Sequence, residues 1–182
     1  MKDLSNKVAI ITGSSSGVGA ATARLFASLG CHVVINYNAN SAGAEQVAKE
    51  CEELGVETVC FGGSVANDTD CVAMVKAAMD KWGRVDILVN NAGTTKFVDH
   101  NNLDGLDAED FQRIYGVNVI GCYQMTRAAR VAMEANDEGG AVVNIASTAA
   151  VTGIGSSIAY AASKGAMVTM TMSLARVLGP KI

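Results

Sequence analysis

The stretch Val8-Ala9-Ile10-Ile11-Thr12-Gly13-Ser14-Ser15-Ser16-Gly17-Val18-Gly19 decides the fold of this chain. Its first four residues are apolar and mostly β-branched, which is typical of a parallel strand covered on both faces. The glycine-rich residues after them break the strand. The run from Ala20 to Leu29 then has the spacing of a helix, which Gly30 ends. The stretch therefore predicts a buried strand, a glycine turn and a helix.

The same alternation continues along the rest of the chain. Further strands are predicted over Val33–Ile35, Thr58–Phe61, Val85–Val89 and Ala141–Ala146, and helices over Ala44–Leu54, Asp68–Trp82, Asp107–Ala135 and Ser157–Leu178. Strands that alternate with helices form right-handed crossovers and build a parallel sheet with helices on both faces. A chain of 182 residues is short for two domains. The sequence predicts one Rossmann-like, doubly wound α/β domain over residues 1–182.

The composition excludes several classes of function. Hydrophobic residues make up 49% of the chain and charged residues 18%, which is typical of a globular protein and not of a disordered one. A net charge of −4 offers no basic surface, so we expect neither nucleic acid nor a membrane as a partner. The five cysteines form no Cys-x-x-Cys pair, and two histidines are too few for a metal site. With no signal peptide in view, a cytoplasmic protein without a metal is expected.

The glycine turn after the first strand predicts nucleotide binding. Gly13, Gly17 and Gly19 stand where a strand passes into a helix. A pyrophosphate needs backbone close to it and N–H groups at a helix start, and residues without a Cβ permit that approach. No Gly-Lys-Ser/Thr follows the turn, so the phosphate-binding loop of phosphoryl-transfer enzymes is excluded.

Lys164 is the only charged residue between Gly139 and Ala175. A lysine whose stem crosses apolar surface to reach water would give the same pattern, so that alternative stays open. Tyr160, however, lies four residues earlier on the same predicted helix face. A nearby ammonium stabilises a phenolate, which makes a tyrosine a better general acid and base. Ser147 follows the fifth strand and could donate a hydrogen bond to a carbonyl oxygen.

These motifs, taken in order, resemble those of the short-chain dehydrogenase/reductase family, and most of all its 3-oxoacyl-[acyl-carrier-protein] reductase branch. They are Thr12-Gly13-x-x-x-Gly17-x-Gly19, Asn90-Asn91-Ala92-Gly93, Asn118, Ser147 and Tyr160-x-x-x-Lys164, and they span the whole chain. The resemblance implies an NAD(P)-dependent oxidoreductase that moves a hydride between a nicotinamide and a carbonyl or secondary alcohol. A 3-oxoacyl thioester is one candidate substrate.

The resemblance also implies a role for each of four catalytic residues. Tyr160 would give and take the proton at the substrate oxygen, and Lys164 would favour its ionised form and hold the nicotinamide ribose. Ser147 would orient the carbonyl. Asn118 would support a water that links Lys164 to solvent.

Cofactor contacts are implied in the same way. They are Gly13, Ser15, Ser16, Gly17, Val18, Gly19, Tyr37, Asn38, Ser64, Val65, Asn91, Ala92, Gly93, Tyr160 and Lys164, with Asn90 beneath the ribose. Tyr37 stands where users of NAD carry an acidic residue. Because no carboxylate is there to repel a 2′-phosphate, NADP(H) is favoured over NAD(H). Ser64 replaces the aspartate that family members often carry, which gives the adenine a weaker acceptor.

Family members continue beyond Pro180-Lys181-Ile182, which itself has the pattern of a sixth strand. We therefore expect the carboxyl-terminal strands of the fold to be missing. A non-catalytic nucleotide-binding or scaffold protein of the same fold remains the alternative function. Two sets of apolar residues on the last helices predict a homo-oligomer, a dimer or a tetramer: Ile120, Tyr123 and Val131, and Met167, Met170 and Leu174.

Overall fold

The computed structural model describes residues 4–182, and its centre is a parallel sheet of five strands. The strands are β1 (Val8–Ile11), β2 (His32–Tyr37), β3 (Thr58–Gly62), β4 (Ile87–Asn90) and β5 (Ala141–Asn144). Their order across the sheet is β3-β2-β1-β4-β5. The order reverses at β1, which pairs with β2 on one side and with β4 on the other. The predicted doubly wound α/β class is confirmed.

Helices cover both faces of the sheet. They are α1 (Gly17–Ser28), α2 (Ser41–Glu52), α3 (Asp68–Trp82), α4 (Ala108–Tyr115), α5 (Cys122–Glu134), α6 (Ala149–Thr152) and α7 (Ile158–Leu178). Side chains alternate along a strand, so Val8 and Ile10 of β1 join a core beneath α3 and α5. Ala9 and Ile11 join a second core beneath α1 and α2. All four residues are fully buried, as the apolar pattern of β1 predicts.

The single helix predicted over residues 107–135 contains a π-helical segment. Gly116–Gly121 has π-helical hydrogen bonding and separates α4 from α5. Gly121 packs closely against the loop that follows β3. A Cβ on Gly121 would lie 2.9 Å from the carbonyl oxygen of Val65. Short π-helical segments often occur at functional sites, and this one contains the buried Asn118.

The predicted strand at Pro180–Ile182 is wrong. The N–H groups of Lys181 and Ile182 both donate to the carbonyl of Leu178, so the backbone turns at the end of α7 instead of extending. Ile182 packs against the core beneath α3 and α5.

The apolar surface predicted on the last helices is present, though partly on other residues. Ile120, Tyr123 and Val131 are exposed as expected. Met167, by contrast, is only 1% exposed and faces the core. On α7 the exposed large apolar side chains are Ile158, Val168, Met172 and Val177. Within the described chain, no helix combines the length and the apolar character needed to cross a bilayer.

Candidate active site

A cleft of about 820 Å3 opens at the carboxyl ends of β1 to β4, where the strand order reverses. Ligands of doubly wound folds bind at this position. The cleft, which we call the main cleft, is lined by Gly13, Ser15, Ser16, Gly17, Val18, Asn36, Asn38, Ala39, Asn40, Gly63, Ser64, Val65, Ala66, Asn91, Ala92, Gly93, Thr94, Gln112, Arg113, Gly116 and Val117. Most of the predicted cofactor residues therefore lie in one cavity.

The glycine turn forms one wall of the main cleft. Gly13 has a φ of +63°, and a Cβ there would lie 2.9 Å from the Cα of Ala92. Gly17 has a φ of +58° and opens α1, with the extended Ser16 as its N-cap. The first N–H groups of α1 are thus at the cleft, where the helix dipole favours an anion such as a pyrophosphate. The turn fits a dinucleotide.

Two polar side chains hold this wall to the end of β4. The hydroxyl of Thr12 accepts hydrogen bonds from the N–H groups of Asn91 and Ala92, each at 3.0 Å. The amide of Asn91 donates back to the carbonyls of Thr12 and Gly13. Gly19 does not line the cleft. It packs against the Asn91 side chain, and a Cβ on Gly19 would lie 2.5 Å from the Asn91 amide nitrogen. Its contribution is close packing of α1 under the turn.

Asn36 is a site residue that the sequence reasoning missed. It is 2% exposed, its Oδ1 accepts from the Gly13 N–H at 3.0 Å, and its Nδ2 donates to the carbonyls of Phe61 and Gly63. One side chain therefore joins the ends of β1, β2 and β3. The available signal was a polar residue near the end of an otherwise apolar strand.

Tyr37 does not line the main cleft, although it was predicted to bind the cofactor. Neighbouring side chains of a strand point to opposite faces, so Asn36 faces the glycine turn and the Tyr37 ring lies over Gly62. The end of the cleft next to β2 and β3 is lined instead by Asn38, Ala39 and Asn40, together with Ser64 and Val65. Asn90, which is 3% exposed, also lies outside the cleft and joins β4 to β5 through Asn144.

Arg113 brings a positive charge to the main cleft, and the sequence reasoning missed it as well. It is the only charged residue among the described residues of the lining. Its guanidinium donates to the Thr94 hydroxyl at 3.2 Å and pairs with Asp110 at 3.3 Å. Asp110 also pairs with Lys96 at 2.5 Å, and this hydrogen bond is the main reason that the Asp110 pKa is lowered. Two cations, Arg113 and Lys96, share the carboxylate of Asp110, and of these three residues only Arg113 lines the cleft.

Lys164 lies in a buried position next to the main cleft. It is 3% exposed, its Nζ donates to the carbonyl of Ile145 at 2.6 Å, and the Nζ lies 5.8 Å from the centroid of the Tyr160 ring. Burial lowers its pKa. The surface-lysine alternative is thereby excluded. Cys122 is itself buried, which raises its pKa to about 12 and keeps it a neutral thiol.

Asn118 joins α7 to the backbone of Thr94 in the cleft wall. Its Oδ1 accepts from the N–H of Thr94 at 2.8 Å, and its Nδ2 donates to the Thr94 carbonyl and the Ser163 hydroxyl. A Cβ on Gly93 would lie 3.5 Å from this Oδ1 and 3.9 Å from the Lys164 Nζ. Gly93, Asn118 and Lys164 therefore meet at one point. Because both amide hydrogens of Asn118 are used, its side chain holds the backbone of Thr94.

Ser147 and Tyr160 lie at the two ends of the segment that contains α6 and joins β5 to α7. Ser157 caps α7 by accepting from the N–H of Tyr160 at 3.3 Å, which puts Tyr160 in the first turn and Lys164 one turn later. The hydroxyl of Ser147 accepts from the N–H of Ala149 at 3.2 Å, and that bond leaves its own hydrogen free to donate. Both side chains are half-buried. The arrangement offers a hydroxyl, a phenol and a buried ammonium near the main cleft.

Comparison with known proteins identifies the family. The short chain dehydrogenase model matches residues 7–182. The 3-oxoacyl-[acyl-carrier-protein] reductase of Synechocystis sp. is 33% identical over 100% of this chain and 72% of its own length. The 3-hydroxyacyl-CoA dehydrogenase type-2 of Drosophila melanogaster is 39% identical over 96% of this chain and 70% of its own.

A crystal structure of NAD+-bound xylitol dehydrogenase superposes with a TM-score of 0.91. It is 29% identical, and the match covers 99% of this chain and 68% of that one. The match along nearly the whole chain, together with a sheet and cleft of the expected order, leads to one conclusion: the chain belongs to the short-chain dehydrogenase family, whose members are oxidoreductases that bind a nicotinamide cofactor.

Proposed function

We propose that the chain transfers a hydride between NADP(H) and a carbonyl compound or secondary alcohol, with Tyr160 as the proton donor and acceptor. The observation that carries this proposal is the position of Lys164. A buried ammonium 5.8 Å from the Tyr160 ring is costly to maintain without a use, and it lies beside Gly93 at the end of the main cleft. That juxtaposition suits acid–base chemistry next to a bound nicotinamide.

Each residue then has a defined task in the direction of reduction. The hydroxyl of Ser147 donates to the substrate carbonyl oxygen and holds the carbonyl in place. Tyr160 gives its phenolic proton to that oxygen as the carbonyl carbon is reduced, and Lys164 stabilises the phenolate that remains. A nicotinamide held in the main cleft would supply the hydride for reduction of the carbon, or accept it in the reverse direction. Asn118 keeps Thr94 and Gly93 in position, and a water for proton exchange would contact its backbone carbonyl.

The preference for NADP(H) is proposed from the adenosine end of the cleft. Asn38, Ala39 and Asn40 present no carboxylate that would repel a 2′-phosphate. Arg113 adds positive charge to the same cleft. The solved structure of xylitol dehydrogenase was bound to NAD+, so direct competition is the appropriate test. Fluorescence titration should give a lower Kd for NADPH than for NADH, and equal or reversed affinities would contradict the preference.

The proposed substrate is a 3-oxoacyl thioester or a simple ketone of similar polarity. Two relatives are named for acyl thioester substrates. Phe97 and Gly155 line a second depression next to the loop that precedes α7, and Phe97 is 85% exposed. An apolar acyl chain would cover such a side chain. Loss of NADPH absorbance with acetoacetyl thioester, compared with a panel of ketones and aldehydes, tests the substrate class.

A homo-oligomer is proposed from the exposed apolar residues of the last helices. Ile120 and Tyr123 on one side, and Val168 and Met172 on α7, leave apolar area facing outward. Burial of such faces between copies is the common route to a symmetric dimer or tetramer. Light scattering at micromolar concentration should give a multiple of the chain mass of 18.7 kDa, and a mass of one chain throughout would contradict the proposal.

A further inference from the structure

Gly155 lies between Tyr160 and Ala149, which is two residues after the serine of the proposed active site. A Cβ at this position would lie 3.3 Å from Cδ1 of the Tyr160 ring and 3.0 Å from the Cβ of Ala149. Both distances are shorter than ordinary contacts between carbon atoms, which are about 3.5–4.0 Å. A methyl group at this position would thus be tightly packed on two sides, and its neighbours would have to shift by a few tenths of an ångström.

The backbone at Gly155 does not itself require glycine. The glycines of the described chain that have a positive φ include its neighbour Gly153 but not Gly155. An alanine at 155 would therefore cause no backbone strain, and its whole effect would come from the contacts of the added methyl group. This separates Gly155 from the glycines of the turn after β1.

The loop around Gly155 is fixed from the side away from Tyr160. The Gly155 carbonyl lies 3.2 Å from Nε2 of His100, and the Ser156 carbonyl accepts from the N–H of Val98 at 2.9 Å. The hydroxyls of Ser156 and Thr95 are 2.6 Å apart. Three hydrogen bonds to the segment after β4 thus oppose a movement of the loop that would make room.

The other contact, Ala149, is coupled to the serine. Ala149 is 3% exposed, and its N–H donates to the Ser147 hydroxyl at 3.2 Å. A methyl group at position 155 would press on Ala149 and on the Tyr160 ring at once. With the loop held, the two catalytic side chains would move apart.

We propose that Gly155 is a positioning residue that sets the spacing of Tyr160 and Ser147 by the absence of a side chain. The inference rests on the proposed function, since the spacing matters only if the two residues act on one oxygen. Displacement of a reacting group by about 1 Å can reduce a rate by about a hundredfold. The two contacts call for shifts of a few tenths of an ångström, so we expect Gly155→Ala to reduce kcat by about threefold to tenfold while the Kd for NADPH stays unchanged. The tighter packing should also lower the Tm slightly.

Two further variants make the test specific. Gly165→Ala adds the same methyl group one turn after Tyr160 on α7, where its nearest neighbour is the Ala150 carbonyl oxygen at an ordinary 3.6 Å, so kcat should not change. Ala149→Gly combined with Gly155→Ala removes the closer of the two contacts and should restore most of the lost rate. A Gly155→Ala enzyme with full kcat would overturn the proposal, as would a loss that the second substitution does not reduce.

A readout that needs no turnover distinguishes failure of this inference from failure of the proposed function. The chain has four tyrosines, so 3-fluorotyrosine gives a simple 19F NMR spectrum in which Tyr160→Phe identifies one signal. Gly155→Ala should shift that signal, the double variant should return it, and Gly165→Ala should leave it in place. An unmoved signal in Gly155→Ala would contradict the proposal. If no carbonyl compound is reduced by the unsubstituted enzyme but the signal moves, the contact is real and the proposed function fails.

Discussion

The two halves of the site are built by different physical means. The half around the glycine turn is held by neutral side chains, and one of them, Asn36, bonds the ends of three strands. The half around Tyr160 contains a buried charge, Lys164, with its Nζ bonded to one carbonyl. Neutral hydrogen bonds at strand ends stabilise the fold and shape a binding surface together. A buried ammonium lowers the free energy of unfolding, so we attribute its presence to a role in the reaction. Substitutions in the two halves should therefore affect different quantities.

The largest expected effect is on turnover, and it comes from the catalytic half. Tyr160→Phe removes the proton donor but keeps the ring, so kcat should fall by about 10²–10⁴ while NADPH affinity and Tm stay close to those of the unsubstituted protein. Steady-state kinetics and fluorescence titration measure the two quantities. Tyr123→Phe, on the exposed face of α5, is the matched control and should leave kcat unchanged. Equal turnover in the Tyr160 and Tyr123 variants would remove Tyr160 from the mechanism.

The next effect is on stability, and it comes from the glycine-turn half. Asn36→Ala leaves the Gly13 N–H and two carbonyls without their partner, so the free energy of unfolding should fall by about 1–3 kcal/mol. NADPH binding should weaken as well because Gly13 loses its support. Urea denaturation provides the measurement. Asn38→Ala, an exposed neighbour of the same type, should change stability by less than about 0.5 kcal/mol, and similar losses in both variants would mean that the bonds of Asn36 carry no special weight.

A smaller effect tests the one charge of the main cleft. Arg113→Gln should raise the Kd for NADPH by about fivefold, which corresponds to about 1 kcal/mol for a partly exposed charge. The affinity of the variant should also depend less on salt than that of the unsubstituted protein. Arg130→Gln on α5 is the matched control, because it removes the same charge from a residue that pairs with Glu134 and does not line the cleft. It should leave the Kd unchanged. If both variants lose affinity equally, the contribution of Arg113 is one of net charge alone.

The smallest expected effect is a pH dependence of stability. Burial lowers the Lys164 pKa, so above the folded-state pKa the unfolded chain binds more protons than the folded one. Stability should therefore rise with pH over the window that ends near the ordinary lysine value of about 10.4. Lys164→Met should remove this rise and should not reduce Tm at neutral pH. Thermal melts from pH 7 to 10 measure the change of Tm with pH. The same change in the unsubstituted protein and in Lys164→Met would show that burial of Lys164 does not destabilise its charged form.

Much of the fold could be predicted because its patterns are local. The apolar run at Val8 and the glycines at 13 and 17 specify a strand, a turn and a helix start within one short stretch. The spacing of Tyr160 and Lys164 places them on one helix face whatever the rest of the chain does. These features depend on periodicity, and periodicity is visible in a single sequence.

The remainder of the site depends on geometry that a sequence does not contain. Asn36 and Tyr37 are adjacent at the end of β2. Which of the two side chains reaches the cleft depends on the face of the sheet that each occupies. Arg113 reaches the cleft only because α4 folds back over Thr94. The π-helical segment around Asn118 follows from tertiary packing and has no marker in its own residues.

Transfer of deuterium from NADPH labelled at nicotinamide C4 tests the central claim most directly. Purified protein is incubated with the labelled cofactor and acetoacetyl thioester or a panel of ketones, and the product is analysed by mass spectrometry. The account predicts one deuterium on the new carbinol carbon with the unsubstituted protein, and loss of nearly all transfer in Tyr160→Phe although the cofactor still binds. Tight NADPH binding without deuterium transfer to any carbonyl compound would contradict the account and favour a non-catalytic nucleotide-binding protein of the same fold.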